Sequence, residues 1–168
     1  MNNIILIGMP ASGKSTVGVI LAKVLGKGFI DTDLVIQQRE NSRLSEIIAE
    51  KGMEGFIKCE NEAVLSVNAE NTVIATGGSV VYSVEALKHL SESGKIIYLK
   101  VDKAELFKRL KNIKQRGVVL KDGESLDEMY DNRQLLYEKY ADEIIDETDL
   151  NIEETVQKIV NIFQQKLN

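Results

Sequence analysis

Residues 8–15 read GMPASGKS, a full match to the pattern G-x-x-x-x-G-K-[ST]. The chemistry such an octapeptide supports is polyphosphate binding. Glycines let backbone N–H groups turn inward around phosphate oxygens, and a following helix adds the partial positive charge of its N-terminus. Lys14 can reach the β- and γ-phosphates as a point charge, and the Ser15 hydroxyl can ligate Mg²⁺. A nucleoside triphosphate is therefore the expected ligand, with Gly8, Ala11, Ser12, Gly13, Lys14, Ser15 and Thr16 as its binding residues.

Two further segments carry chemistry. In DTD, Asp31 and Asp33 end the second apolar run, and ligands of open α/β sheets sit beyond the carboxyl ends of the strands. At i and i+2 of an extended segment the two carboxylates would share one face. One could then hold hydrated Mg²⁺ while the other accepts a proton from an attacking hydroxyl. Helix capping by Asp33 is the bland alternative. ATGGS, from Ala75 to Ser79, follows a third run; its adjacent glycines allow backbone to approach a ligand closely.

These residues need a frame. IILIG, FID, TVIA and KIIYLKV are short apolar runs suited to strands buried on both faces of a parallel sheet. GKSTVGVILAKVLG has helical spacing, with Val17, Ile20, Leu21 and Val24 expected on the buried side and Gly26 as C-cap. SRLSEIIAEKG carries a capping-box signature through Ser42, Ser45 and Glu46. Helices are also expected in FIKCENEAVLSV, SVEALKHLSESG, KAELFKRLKNI and IEETVQKIVNIFQQKL. Alternating strands and helices give an α/β fold with a mainly parallel sheet. Residues 111–125, polar and containing Gly117 and Gly123, form the expected mobile lid.

At 168 residues the chain is long enough for one domain with a sizeable core. Its net charge of −5 offers no basic footprint for nucleic acid. One cysteine, Cys59, excludes an internal disulfide framework and reads as a half-buried apolar residue. The opening apolar run is too short for a signal peptide or membrane span, so a cytoplasmic monomer without a membrane or nucleic-acid partner is expected. His89, on a surface helix, is assigned no chemistry.

Taken together, GMPASGKSTVG, FIDTD, GFIKCE, ATGGSVV, RLKNIKQRGVVL and NRQLLYEKYAD, in this order, resemble the shikimate kinase family of small P-loop kinases. The resemblance implies a three-layer α/β/α fold, ATP and Mg²⁺ as cofactors, a substrate-binding helical segment over residues 33–62 and a lid that closes over ATP. It implies that Ser15 and Asp31 serve the metal, and that Asp33 contacts the acceptor hydroxyl and acts as base. It also implies that Arg109 stacks near adenine, that Arg116 reaches the transferring phosphate, and that Arg133 binds the substrate carboxylate. Lys14, Asp33 and Arg116 are thus the catalytic candidates. Asp33, residue 57, Gly77, Gly78, Ser79 and Arg133 are the acceptor-binding ones.

The chain departs from the family pattern at Ser79, where a third glycine is usual, and at Gly117 and Leu135, where prolines are usual. The sharper departure is Ile57. The family's F-R-x-x-E segment places a substrate-clamping arginine there, whereas Phe56 is here followed by Ile57, with Glu60 retained. Uncompensated loss of such a contact costs about 2–4 kcal/mol, or roughly one to three decades of affinity. The implied reaction is phosphorylation of shikimate to shikimate 3-phosphate. A related hydroxylated metabolite of less demanding charge, or a non-catalytic nucleotide-binding regulator, are the alternatives at this point.

Overall fold

The computed structural model describes residues 2–111, 118, 120, 121 and 123–164. Strands β1 (Asn3–Ile7), β2 (Gly28–Asp31), β3 (Thr72–Ala75), β4 (Gly94–Lys100) and β5 (Glu143–Asp146) form one parallel sheet in the order β2-β3-β1-β4-β5. β1 is central and buried along its whole length. That location is why its sequence is a continuous apolar run instead of an alternating one.

Successive strand residues face opposite layers. Ile5, Ile7, Ile74, Ile96 and Tyr98 pack into one core with helices α4 (Val84–Ser93) and α6 (Leu126–Tyr140). Ile4, Leu6, Val73, Ile97 and Leu99 pack into the other, with α1 (Lys14–Leu25) and α7 (Ile152–Gln164). The three-layer α/β/α architecture is thus written in the period-two partition of the strands. A third, smaller cluster of Ile36, Ile47, Phe56, Cys59 and Ala63 holds α2 (Thr32–Glu40) against α3 (Leu44–Leu65). α3 is broken at Gly52, whose φ of 67° and ψ of −174° are open to glycine at little cost, so the expected two helices run on from each other across a kink. Helix α5 (Lys103–Lys111) follows β4.

Three expectations need correction. On α1 the buried stripe is Val17, Gly18, Leu21 and Ala22, while Ile20 is 37% and Val24 59% exposed. The helix turns Val17 and Leu21 with two small residues, not its full apolar set, toward the sheet. Asp33 is not extended: β2 stops at Asp31 and α2 starts at Thr32, putting Asp33 in the first helical turn. β5, EIID, was not anticipated; as an edge strand it leaves Ile144 half exposed and buries only Ile145, too little pattern to read. Gly26 does end α1 in the left-handed conformation, and Cys59 is buried.

Candidate active site

The loop from Gly8 to Gly13 leaves β1 and feeds α1. Its curvature depends on positive φ angles of 151° at Gly8, 65° at Ala11 and 95° at Gly13. Lys14 opens α1 and folds back over the loop, its ammonium donating to the carbonyls of Gly8 at 2.8 Å and Met9 at 2.7 Å. Burial pushes its pKa down to about 8, opposed by the negative charges of Asp33, Glu147 and Asp31. The cation thus sits in a site that removes water and supplies loop oxygens in its place.

At the carboxyl end of β2, the Ser15 hydroxyl donates to Asp31 Oδ2 at 2.6 Å. The other oxygen, Oδ1, accepts from the Asp33 backbone N–H at 3.0 Å. Asp31 is therefore the N-cap of α2, and this cap, instead of an extended face, is what orients the pair. Both carboxylates still reach one cavity of about 840 Å³, which Lys14, Ser15, Glu60, Gly77, Gly78 and Arg133 also line.

The glycine loop after β3 is pinned by Thr76, whose N–H and hydroxyl both donate to Leu6 O, at 3.1 and 3.0 Å. The Gly77 N–H donates to the buried Thr32 hydroxyl at 3.2 Å. A Cβ at Gly77 would lie 2.2 Å from Glu60 Oε1 and 2.9 Å from Asp33 Oδ1. A Cβ at Gly78 would lie 2.8 Å from the Pro10 ring and 3.2 Å from Arg133 Nη1. These glycines make a wall thin enough to let two carboxylates and a guanidinium converge.

Arg133, on α6, is 1% exposed. Its Nε donates to the Tyr82 hydroxyl at 3.3 Å, and its guanidinium lies 5.3 Å from that ring's centre. Tyr137, one turn on, donates its hydroxyl to Gly78 O. Burial raises the pKa of that phenol, so it remains a donor. Glu60 is fully buried; Ser79 donates to its Oε2 at 2.6 Å, and Oε1 has no hydrogen-bond partner among the described residues. Burial pushes its pKa up to about 7, against the pull of Ser79, Arg133 and Lys14.

A second cavity, of about 580 Å³, shares Gly13 and Thr16 with the first and is lined also by Ser12, Arg109 and Glu147. Arg109 Nη1 lies 3.4 Å from Ser12 O and 3.5 Å from Glu147 Oε1, and its Nε donates to Glu105 at 3.0 Å. Glu147 is buried and its pKa is raised to about 7, mostly by desolvation. With apolar Leu150 and Ile152 beside them, these groups suit a flat heterocycle with polar edges.

Among the sequence candidates, the geometry gathers Ala11, Gly13, Lys14, Ser15, Thr16, Asp31, Asp33, Gly77, Gly78, Ser79 and Arg133 around the first cavity, and Ser12 and Arg109 around the second. Gly8 contributes its carbonyl to Lys14. Ile57 is a correction: it is half-buried and does not line the cavity, although its neighbours Phe56 and Glu60 do. Around the helix Ile57 lies about 100° from Phe56 and about 60° from Glu60, at the rim of the face those two present. Arg116, Gly117 and most of the expected lid lie outside the described residues. Sequence reasoning missed Thr32, Glu147 and Arg43. The last stands just before α3, where a capping residue would be short and polar, and that misfit was the available signal.

The comparisons with known proteins agree with this geometry. The shikimate kinase family model matches residues 10–164. The chain is 37% identical to shikimate kinase of Thermodesulfovibrio yellowstonii, covering 100% of this chain and 98% of that protein. It is 40% identical to shikimate kinase of Clostridium botulinum, over 98% of each. Among solved structures, shikimate kinase from Aquifex aeolicus superposes with a TM-score of 0.82 at 31% identity, over 98% of both chains. Shikimate kinase from Acinetobacter baumannii in complex with shikimate gives 0.84 at 26% identity, over 99% of this chain and 94% of that one. With a phosphate loop, a paired-aspartate cap and a glycine wall around one cavity, and with similarity along its whole length, the chain belongs to the shikimate kinase family.

Proposed function

We propose that this protein transfers the γ-phosphoryl group of ATP to a hydroxyl of shikimate, giving shikimate 3-phosphate and ADP. The observation that carries the reading is the shared cavity: phosphate loop, Asp33 and Arg133 open on one volume, as a direct transfer between two bound substrates requires. Family membership supplies the acceptor.

Asp33, within the first turn of α2, is in place to accept the proton of the attacking hydroxyl. The hydroxyl oxygen forms a bond to Pγ as the bond from Pγ to the β,γ-bridging oxygen breaks, and the electron pair leaves with ADP. Lys14 offsets charge that grows on the bridging and γ oxygens, and Arg133 orients the acceptor through its carboxylate. No covalent enzyme intermediate is needed. Arg116 is proposed to complete the cationic surround of the transferring group.

The Ser15 hydroxyl and Asp31 carboxylate, 2.6 Å apart at a helix N-terminus, are hard oxygen donors that suit Mg²⁺. No cluster of three or more histidine, cysteine or acidic side chains able to hold a metal occurs among the described residues, which suits an ion ligated mainly by phosphate and water. Bound with the triphosphate and held by Ser15 and Asp31, Mg²⁺ would supply neutralisation of phosphate charge. Among the described residues no helix is long and apolar enough to cross a membrane.

The test is ATP turnover with and without shikimate at millimolar concentration. Shikimate-dependent ADP release with formation of a phosphorylated product is expected. A folded protein that binds ATP and shows no stimulation would refute the assignment.

A further inference from the structure

Position 57 leaves the acceptor side of the cavity without a cation that the family pattern supplies. The cavity's acidic groups there are Asp33 and Glu60, and Lys14 is committed to the phosphate loop. Arg133 is the deep cation, held by Tyr82. The remaining lining cation is Arg43, in the turn between α2 and α3 and beside Leu44 and Ser45 of the same wall.

Arg43 has the properties of a ligand group. It is the N-cap residue of α3, yet the capping itself is done by others: the Glu46 carboxylate accepts from the Arg43 backbone N–H and the Ser42 hydroxyl, both at 2.9 Å. Its guanidinium makes no hydrogen bond or ion pair among the described residues, Glu46 acting on it only by charge. The backbone is thus fixed while the side chain is exposed, uncommitted and part of the cavity lining. A guanidinium so placed can donate two parallel hydrogen bonds to a carboxylate.

We infer that Arg43 is a specificity-determining residue of this chain, binding the acceptor's carboxylate from the α2–α3 side in place of the arginine absent at position 57. The inference rests on shikimate, or another cyclic hydroxy-acid, being the acceptor. The Glu60 carboxyl near Ile57 is held by Ser79, itself a departure from the glycine pattern, whose hydroxyl donates to it.

The experiment compares wild type, Arg43→Gln and Arg43→Gln/Ile57→Arg, each with shikimate and with its uncharged methyl ester. Arg43→Gln is expected to raise the KM for shikimate about 10- to 100-fold, with the KM for ATP within about two-fold of wild type. The preference for acid over ester should fall by the same factor, a change that a structural role of Arg43 would not produce. Ile57→Arg in the double variant should restore much of that preference. An Arg43→Gln enzyme with unchanged shikimate KM, or with equal losses for acid and ester, overturns the inference while leaving the kinase assignment intact. A wild type inactive with shikimate overturns both.

Discussion

The Ser79 hydroxyl donates to the fully buried carboxyl of Glu60 at 2.6 Å, and the other oxygen of that carboxyl faces Gly77 without a hydrogen-bond partner among the described residues. A carboxylate in that position lacks the solvation its charge requires, and burial accordingly raises its pKa to about 7 from an ordinary 4.5.

This shift has a signed consequence for stability. Between the unfolded pKa near 4.5 and the folded pKa near 7, the native state binds the proton that the unfolded state has released. Stability is therefore complete below the lower value and declines as pH rises through the window, by on the order of 3 kcal/mol in total. Urea titrations of the ligand-free protein at pH 5 and pH 8 measure it. Glu60→Gln should reduce the difference between the two pH values; an unchanged difference would place the titrating group elsewhere, Glu147 being the alternative with the same sign.

Lys14 shifts in the opposite sense, to about 8, because its loop is dehydrated. A bound triphosphate brings negative charge within a few ångströms and restores the charged form. ATP binding at pH 8.5 is thus expected to take up a fraction of a proton, whereas at pH 6.5 Lys14 contributes no uptake. Calorimetry in buffers of different ionisation enthalpy reads this directly, and Lys14→Met should abolish the uptake.

Asp33 is predicted to act on the chemical step. Asp33→Asn should lower kcat by about 10²- to 10⁴-fold, the usual range for a lost general base, with ATP affinity nearly unchanged. Single-turnover kinetics with nucleotide titration separates the two effects. Comparable losses in both would assign Asp33 to nucleotide binding.

Gly77→Ala tests the convergence of the carboxylates. The added methyl would stand 2.2 Å from Glu60 Oε1 and 2.9 Å from Asp33 Oδ1, so one or both must move. A loss of 10²-fold or more in kcat/KM for the acceptor is expected, since displacement by about 1 Å at a reacting group has that effect. The nucleotide Kd should stay close to wild type, because Gly77 does not line the second cavity.

Much of this site could be read from residue order alone, and the reasons for success and failure are physical. The phosphate loop was legible because its backbone conformation admits few sequences. Asp31 and Asp33 were correctly paired but wrongly shaped: an i, i+2 spacing serves an extended face and an N-cap equally well, and the hydrogen bond from Asp33 N–H to Asp31 Oδ1 selects the cap. Arg133 carried no local mark of burial, since its partners Tyr82 and Gly78 are more than fifty residues away in sequence. Glu147 was invisible for the same reason, an ordinary surface-type residue until the fold sets it against a cavity, and Arg43 offered only its misfit as a helix cap. β5 escaped because an edge strand with one buried side chain has almost no periodicity.

The pairing of Leu6 with Ala75 across β1 and β3, with Thr76 bonded twice to Leu6 O, acts as a ruler between donor and acceptor. The phosphate loop leaves one strand and the glycine wall leaves its neighbour, so the gap between them is set chiefly by main-chain hydrogen bonds, with the Thr76 hydroxyl adding one more. The α2–α3 unit, with its own small core, lies outside that ruler. Evolution can therefore rewrite the acceptor's recognition, exchanging an arginine at one point of the rim for an arginine at another, while the distance over which the phosphoryl group travels stays the same.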